Sequence, residues 1–316
     1  MSIITPVSYT PHEWKNAGAD GAFPLNAERA NEFEKGIVDT AEAVNKLIIS
    51  TGDIANDMSL LDNGLQVGRS IADIPEIQAE LDDAGSVQKF LQARATSRDA
   101  KFLRIGDYVD ITHSGIGSRR YRIGAFWPYY NCTDQPFGGH IGMVPDEVWP
   151  TNTQWNTTND NNGTAAQPFP YLNSNLHKFE LQTILPTFPA DWQAVMKNFR
   201  TLLEKRYSAS GKLSASTDWD CADLGKVFSL SETEVYGQTV WGTNGYSTGI
   251  DCHWPIFAQT RNRIKTKAGA RAYWWLRSVY GSSSANACYV SSYGNAYGGS
   301  ASNTGGSALP CFLIGE

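Results

Sequence analysis

Two apolar blocks, Tyr273-Trp274-Trp275-Leu276-Arg277-Ser278 and Leu309-Pro310-Cys311-Phe312-Leu313-Ile314, enclose a stretch of different texture. Positions 279–306 contain only Ala, Cys, Gly, Asn, Ser, Thr, Val and Tyr, with no charged residue. Each block has the bulk and length of a buried strand, so the stretch is clamped between two core elements. A plain linker would not carry four tyrosines. Tyr, Ser, Gly and Asn together are the working set of antibody paratopes: Tyr gives rigid amphipathic area, Ser and Asn give adaptable hydrogen bonds. The alternative is a low-complexity loop or an aggregation-prone polar tract. The binding reading takes as candidate ligand residues Tyr280, Ser282, Ser283, Ser284, Asn286, Tyr289, Ser291, Tyr293, Asn295, Tyr297, Ser302 and Asn303. Trp274, Trp275, Leu276, Arg277 and Phe312 are the expected scaffold of that site.

The genetic code sharpens this reading. Free change of the two adenines in an AAC or AAT codon reaches Asn, Ser, Thr, Tyr, Cys, Gly, Ala and Val, but not Lys, Glu, Gln, Met or Trp. Every residue of 279–306 lies in the reachable set. A plain Gly/Ser/Tyr loop would pass the same test, so compatibility with adenine-directed change is all that follows.

Upstream, Ile105-Gly106-Asp107-Tyr108-Val109-Asp110-Ile111 and Tyr121-Arg122-Ile123-Gly124-Ala125-Phe126 alternate like strands, and 113–118 reads as their hairpin connection. The Asn/Thr-rich stretch 151–168 predicts a long exposed loop. Leu176, Phe179 and Ile184 predict a helix ended by Pro186. A second helix is expected from Pro189, carrying Trp192, Val195, Met196, Phe199, Leu202 and Leu203. From 227 to 314 the pattern predicts short strands and loops.

Toward the other end, Asn26 looks like an N-cap, and Phe33, Ile37, Val44 and Ile48 form one apolar stripe with Ala41 between. Such a lone, narrow-striped helix pairs with copies of itself or packs on its own domain. Thr51 to Ser70 reads as linker. Pro75 suits a first helical turn, Ile74, Ile77 and Leu81 share a face, Gly85 breaks the helix, and Ser86 caps a short one with Val87, Phe90 and Leu91. The expected organisation is 1–50 N-terminal segment and helix, 51–100 helical linker region, and 101–316 main domain with the tract at about 279–306.

Composition narrows the function classes. The 316 residues are 41% hydrophobic and 18% charged, which suits a packed core, and 12% aromatic, which suits ring-rich packing or binding. A net charge of −6 without a basic stripe argues against nucleic acid. The cluster Arg261, Arg263, Lys265 and Lys267 reads as a solvated strand edge. No secretory leader and no membrane-length apolar run are present, so a bacterial-cytoplasm origin and no membrane insertion are expected. The five cysteines include no CxxC pair. His113, His140, His177 and His253 lack metal-ligand spacing, and Asp218, Asp220 and Asp223 lack a complete calcium-loop pattern. No cofactor or metal and no enzymatic activity are expected.

The Trp274-to-Ser278 block, the tract after it, Gly305, Gly306 and Pro310-Cys311-Phe312-Leu313-Ile314 resemble the variable region of proteins diversified by retroelements, the major tropism determinant family of phages. Related regions often close in a Gly-Val-Arg-Pro-like turn, where Gly306-Ser307-Ala308-Leu309-Pro310 stands here. The stretch from Ile105-Gly106-Asp107-Tyr108 through His140-Ile141-Gly142-Met143-Val144-Pro145 also resembles a domain of phage and gut-bacterial proteins ending in a WWLRS block. The resemblance covers roughly 101–316. It implies an α+β, C-type-lectin-like domain: a twisted antiparallel sheet, two helices and long loops.

A second resemblance lies in Tyr9-Thr10-Pro11-His12-Glu13-Trp14-Lys15-Asn16, Pro24-Leu25-Asn26-Ala27-Glu28 and Glu34-Lys35-Gly36-Ile37, which look like the opening of phage tail-fibre and baseplate proteins. It implies attachment to other tail proteins and an N-terminal helical segment that oligomerises as a homotrimer. Together the two imply a virion receptor-binding protein whose partner is a host-surface protein or glycan. A constant structural or decoration protein of the tail is the alternative. The lectin-like fold also hosts formylglycine-generating-type oxidases, which would need Cys288 and Cys311 as a pair.

Overall fold

Strict alternation sets the first strands. In β1 (Tyr108–His113) Val109, Ile111 and His113 turn inward, while Asp110 and Thr112 face solvent. A turn at 114–116 returns the chain as β2 (Gly117–Phe126), paired antiparallel from Tyr108↔Arg122 to His113↔Gly117. Both strands and their connection follow the sequence pattern.

The structure is a computed structural model that describes residues 10–11, 30–46, 68–129, 134–207, 218–243 and 252–316. The chain divides into two compact units, Met1–Leu65 and Gln66–Glu316. In the first unit, residues 30–46 form a helix, α1. Phe33, Ile37 and Val44 all stand exposed on it, Phe33 at 67%. Asn26, Ile48 and most of the tail-like motif residues lie outside the described residues.

The second unit begins earlier than position 101. After a turn opened by Pro75, α2 (Gln78–Ala84) ends at Gly85 in the left-handed region, φ 72°. Ser86 then caps α3 (Val87–Ser97), its hydroxyl accepting from Lys89 N–H. Phe90, Leu91 and Ala95 are buried, and α3 packs on the sheet. The expected 51–100 linker region is thus corrected: from Gln66 the chain is part of the main unit, because α3 has an apolar face that the sheet covers.

That sheet has five strands in the order β1-β2-β3-β12-β4, with β3 at His140–Pro145, β4 at Met196–Lys197 and β12 at Phe312–Gly315. All of its pairings are antiparallel. β12 therefore lies between a strand from the start of the unit and one from its middle. Phe312 fills the core beneath it among Tyr121, Phe188 and Trp192.

The helical expectation for 189–203 holds only in part. α6 covers Ala190–Val195, after which the chain extends into β4 and then β5 (Phe199–Glu204). Phe199, Thr201 and Leu203 point inward alternately, a period of two that the Leu202-Leu203 pair disguised as a helical face. Pairing with β6 (Trp219–Gly225) overrides local propensity. Before α6, the short helices α4 (Pro170–Asn173) and α5 (Asn175–Phe179) lead into a π-helical turn, Glu180–Ile184. Glu180 is fully buried there, bonded by the Tyr171 and Ser229 hydroxyls, and burial pushes its carboxyl up to about 8.

The stretch 227–314 is not strands and loops alone. It includes α7 (Glu232–Tyr236), opened by a Ser231/Glu234 capping box, and α8 (Thr260–Arg263). A small hairpin, β7 (Lys265–Lys267) with β8 (Ala270–Ala272), follows. The closing feature is a second sheet of three strands, β9 (Trp274–Val279), β10 (Asn286–Val290) and β11 (Ala296–Ser300), with β10 in the centre. Among the described residues, no helix is long and apolar enough to cross a membrane.

Candidate ligand surface

The three-stranded sheet carries the tract. β9 is its fixed edge: Trp274, Trp275, Leu276 and Arg277 are all buried. The indole N–H of Trp274 donates to Arg263 O and that of Trp275 to Thr153 O. Leu276 O accepts from the Trp155 indole. Arg277 explains why a cation belongs in a core strand. Its guanidinium forks onto the buried Glu234 carboxylate at 2.5 and 2.6 Å and donates to Ser229 O. Glu234 also accepts from Tyr129 Oη and Ser231 N–H, which satisfies both its oxygens. Phe312 stands apart from this group; it packs in the five-stranded sheet and supports the domain rather than the tract.

From β9 outward the side chains open to solvent. Tyr289 of β10 lies opposite Trp275 on one side and Tyr297 of β11 on the other, so the three share a face. Tyr289 and Tyr297 stack at 5.9 Å, and Tyr273 packs on Tyr289 at 5.0 Å. Tyr297 is 53% exposed, and Tyr293, in the turn between β10 and β11, is 69% exposed. Ser282, Ser284, Asn295 and Asn303 are exposed as well. Tyr280, Ser283, Asn286, Tyr289, Ser291 and Ser302 are half-buried. None of the twelve candidate residues is fully buried. In contrast Ala287, Cys288, Val290 and Ala301 of the same tract are core. The uniform composition of 279–306 therefore hides two kinds of position.

The candidates do not all meet. Five-residue strands separate the turn at 291–295 from the loops at 281–285 and 301–303 by about 17 Å. The surface is a strip with two ends and a tyrosine centre. Two glycines shape that centre. A Cβ on Gly298 would come within 2.0 Å of the Tyr280 ring, and one on Gly299 within 2.9 Å of the Tyr289 ring. Gly298 and Gly299 are neighbours on β11, so their Cβ positions point to opposite faces: Tyr289 lies on bare backbone on the face of Tyr297, Tyr280 lies on the other face, and Tyr293 and Tyr297 are the most exposed rings. Gly298→Ser is expected to displace the Tyr280 ring and cost about 1–3 kcal/mol in thermal unfolding. Adding Tyr280→Ala should recover much of that loss; strictly additive losses would sink this coupling.

Residues outside the tract grip its backbone. Arg206, almost fully buried, donates to Tyr280 O at 3.0 Å and Ser283 O at 3.1 Å, and to Glu204 and Thr243. Asn161 donates its amide to Ser283 O and Asn286 O, and its backbone N–H to Ser284 O. These bonds end on carbonyls, so they are indifferent to the side chains there. Stretch 151–168 is irregular as expected, yet not simply exposed: Thr153, Trp155 and Asn161 are buried and bonded to β9 or the tract. Its Asn/Thr composition hid this role.

One further aromatic stands beside the strip. The buried Glu232 carboxylate accepts N–H bonds from Val240, Trp241 and Gly242, fixing that loop. Trp241 stacks on Tyr280 at 5.6 Å and donates its indole N–H to Ala296 O. Sequence reading missed Trp241, Asn161 and Arg206. For Arg206 the signal in the sequence is weak: it follows β5, and only its nearness in the chain to Glu204 hints at the buried pair that the two form.

The other chemistry is structural in its contacts. Cys288 on β10 sits beside Glu232, whereas Cys311 adjoins β12 and bonds Phe228 backbone to backbone. Burial pushes both thiols well above the usual range. His113 bonds Thr187 and Tyr121, His140 bonds Gly138 O and Tyr129 N–H, and burial lowers both to about 4. Asp218 and Asp220 pair with Lys205, and Asp223 with Arg200. Among the described residues, no group of three or more His, Cys, Asp or Glu is placed to hold a metal ion.

The family model for the domain of unknown function DUF6273 matches residues 151–315. The chain belongs to the DUF6273 family. The DUF6273 match opens at the loop carrying Trp155 and Asn161 and runs through Arg206, the tract and β12. It therefore contains the whole apparatus that holds the strip. No curated protein and no solved structure matches the chain.

Proposed function

We propose that the chain is a receptor-binding protein of a phage tail, which holds a host-surface ligand on the strip formed by 279–306. The observation that carries this reading is the separation of roles. All twelve candidate side chains reach solvent, while Arg206, Asn161 and the buried face of β9 hold the backbone beneath them. Exposed substitutions cost little stability, so such a surface tolerates the variation its codon set permits. A C-type-lectin-like domain is the reading of the fold. It is supported by the return of β12 to pair with β3. Binding without catalysis fits a site of tyrosines and small polar groups.

The tail assignment rests on the N-terminal resemblance. The exposed stripe Phe33, Ile37 and Val44 on α1 supports self-association, and three copies would give avidity to a weak single contact. Dye-labelled full-length protein, incubated with a mixed bacterial community and sorted by bound fluorescence, tests the function. The wild type is expected to label a subset of cells. The double variant Tyr293→Ala/Tyr297→Ala should lose labelling by about tenfold or more, with unchanged thermal unfolding. Equal labelling by both proteins would overturn the reading.

A further inference from the structure

The chain carries a net charge of −6, yet between Cys252 and Gly315 it has no Asp or Glu. The same stretch has six cations. Two are committed to the interior: Arg277 to Glu234, and Lys265, whose ammonium donates to Pro145 O. Three of the others gather at one end of the strip. Arg271 lies 5.8 Å from the Tyr293 ring. Arg263 covers the Tyr236 ring at 4.7 Å, and Tyr236 in turn donates its hydroxyl to Gly294 O. A Cβ on Gly294 would meet Thr260 O at 3.1 Å, so the turn rests against α8, where Arg261 is exposed. Two carboxylates beside the neighbouring hairpin are engaged: Glu147 is bonded by Thr266 and faces Arg119 at 3.9 Å, and Asp146 pairs with Arg122. The turn at 291–295 is thus an exposed tyrosine edged by arginines, attached to an uncharged strip.

Resting on the receptor-binding reading, we infer that the partner is a protein whose contact patch is acidic where it meets this turn. Arginine forks match carboxylates in a bidentate geometry, and arginine and tyrosine are both enriched among interface hot spots. Tyr293 is 69% exposed, so it projects from the surface instead of lining a walled pocket. A projecting ring suits an extended protein surface, as the paratope-like composition does. Charge of one sign at the rim also sets which partners approach, and how fast, more than it sets final affinity.

Immobilised poly-L-glutamate serves as the acidic peptide probe, with polygalacturonate as the anionic glycan and dextran as the neutral control. Binding of the full chain is measured by interferometry at roughly 20 and 300 mM NaCl, on either side of physiological screening. Poly-L-glutamate should be bound at low salt and released at high salt. Arg261→Gln/Arg271→Gln should weaken it about tenfold, with unchanged thermal unfolding. Absence of binding at low salt, or unchanged binding by the variant, overturns the inference. Equal binding of polygalacturonate overturns the assignment to a protein partner. Failure here with tyrosine-dependent cell labelling retained would remove this inference alone, whereas loss of that dependence would remove the receptor reading beneath it.

Discussion

Arg277→Met is expected to destabilise the main unit by about 3–5 kcal/mol, read as a lowered midpoint in urea unfolding. The side chain it replaces is buried and makes three hydrogen bonds, two of them to Glu234. Met matches the volume of the aliphatic stem but leaves a buried carboxylate with Tyr129, Ser231 and the weak Cys252 thiol as donors, none of them charged. Taking one partner from such a pair costs more than removing both. The double variant Arg277→Met/Glu234→Gln should therefore be more stable than Arg277→Met alone. Its one amide oxygen can still accept from Ser231 N–H, its NH2 can donate to the Tyr129 hydroxyl oxygen, and no unpaired charge remains. A loss below about 1 kcal/mol in the single variant would mean that water or a rearranged neighbour replaces the guanidinium.

The second large effect is expected at Arg206, and its signature differs. Arg206→Met removes its bonds to Tyr280 O and Ser283 O, leaving the latter to Asn161, and takes from the buried Glu204 its charged partner. Thr243 remains as a donor to Glu204, whose carboxyl burial already pushes up, so a loss of about 2–4 kcal/mol is expected. The informative readout is local. Amide exchange should rise first across 280–286, where carbonyl anchors are lost, and much less across β9. Cell labelling should fall even under conditions where the fold persists, because the strip loses its preset backbone. Uniform exchange across the unit would show Arg206 to be a general core residue with no special hold on the tract.

How far the sequence was legible depends on where the constraint lay. Period-two patterns gave β1 and β2, and cap chemistry at Pro75, Gly85 and Ser86 placed α2 and α3, because those signals act over a few residues. The buried block at Trp274 to Arg277 was recognisable by bulk alone. β5 was misread since Phe199, Leu202 and Leu203 satisfy a helical stripe as well as Phe199, Thr201 and Leu203 satisfy a strand; only its pairing with β6 decides. Asn161 and Arg206 were invisible for a related reason. Their partners are backbone carbonyls more than 70 residues away in the case of Arg206, and more than 120 for Asn161. Carbonyls leave no mark in the sequence. Within the tract, composition could not separate Cys288 and Val290, which are core, from Tyr293 and Tyr297, which are not.

The position of β12 has a bearing on synthesis. It follows the tract in the chain, yet it is flanked on both sides, by β3 and β4, in the larger sheet. A ribosome that slips frame or stalls anywhere in 279–306 delivers a chain without that strand, leaving β3 and β4 with open edges and α3 without its floor. Such products expose apolar surface and are prey to proteolysis. Any change within the tract is thereby tested at the moment of folding: a reading frame kept open through 306 is a condition for a finished sheet.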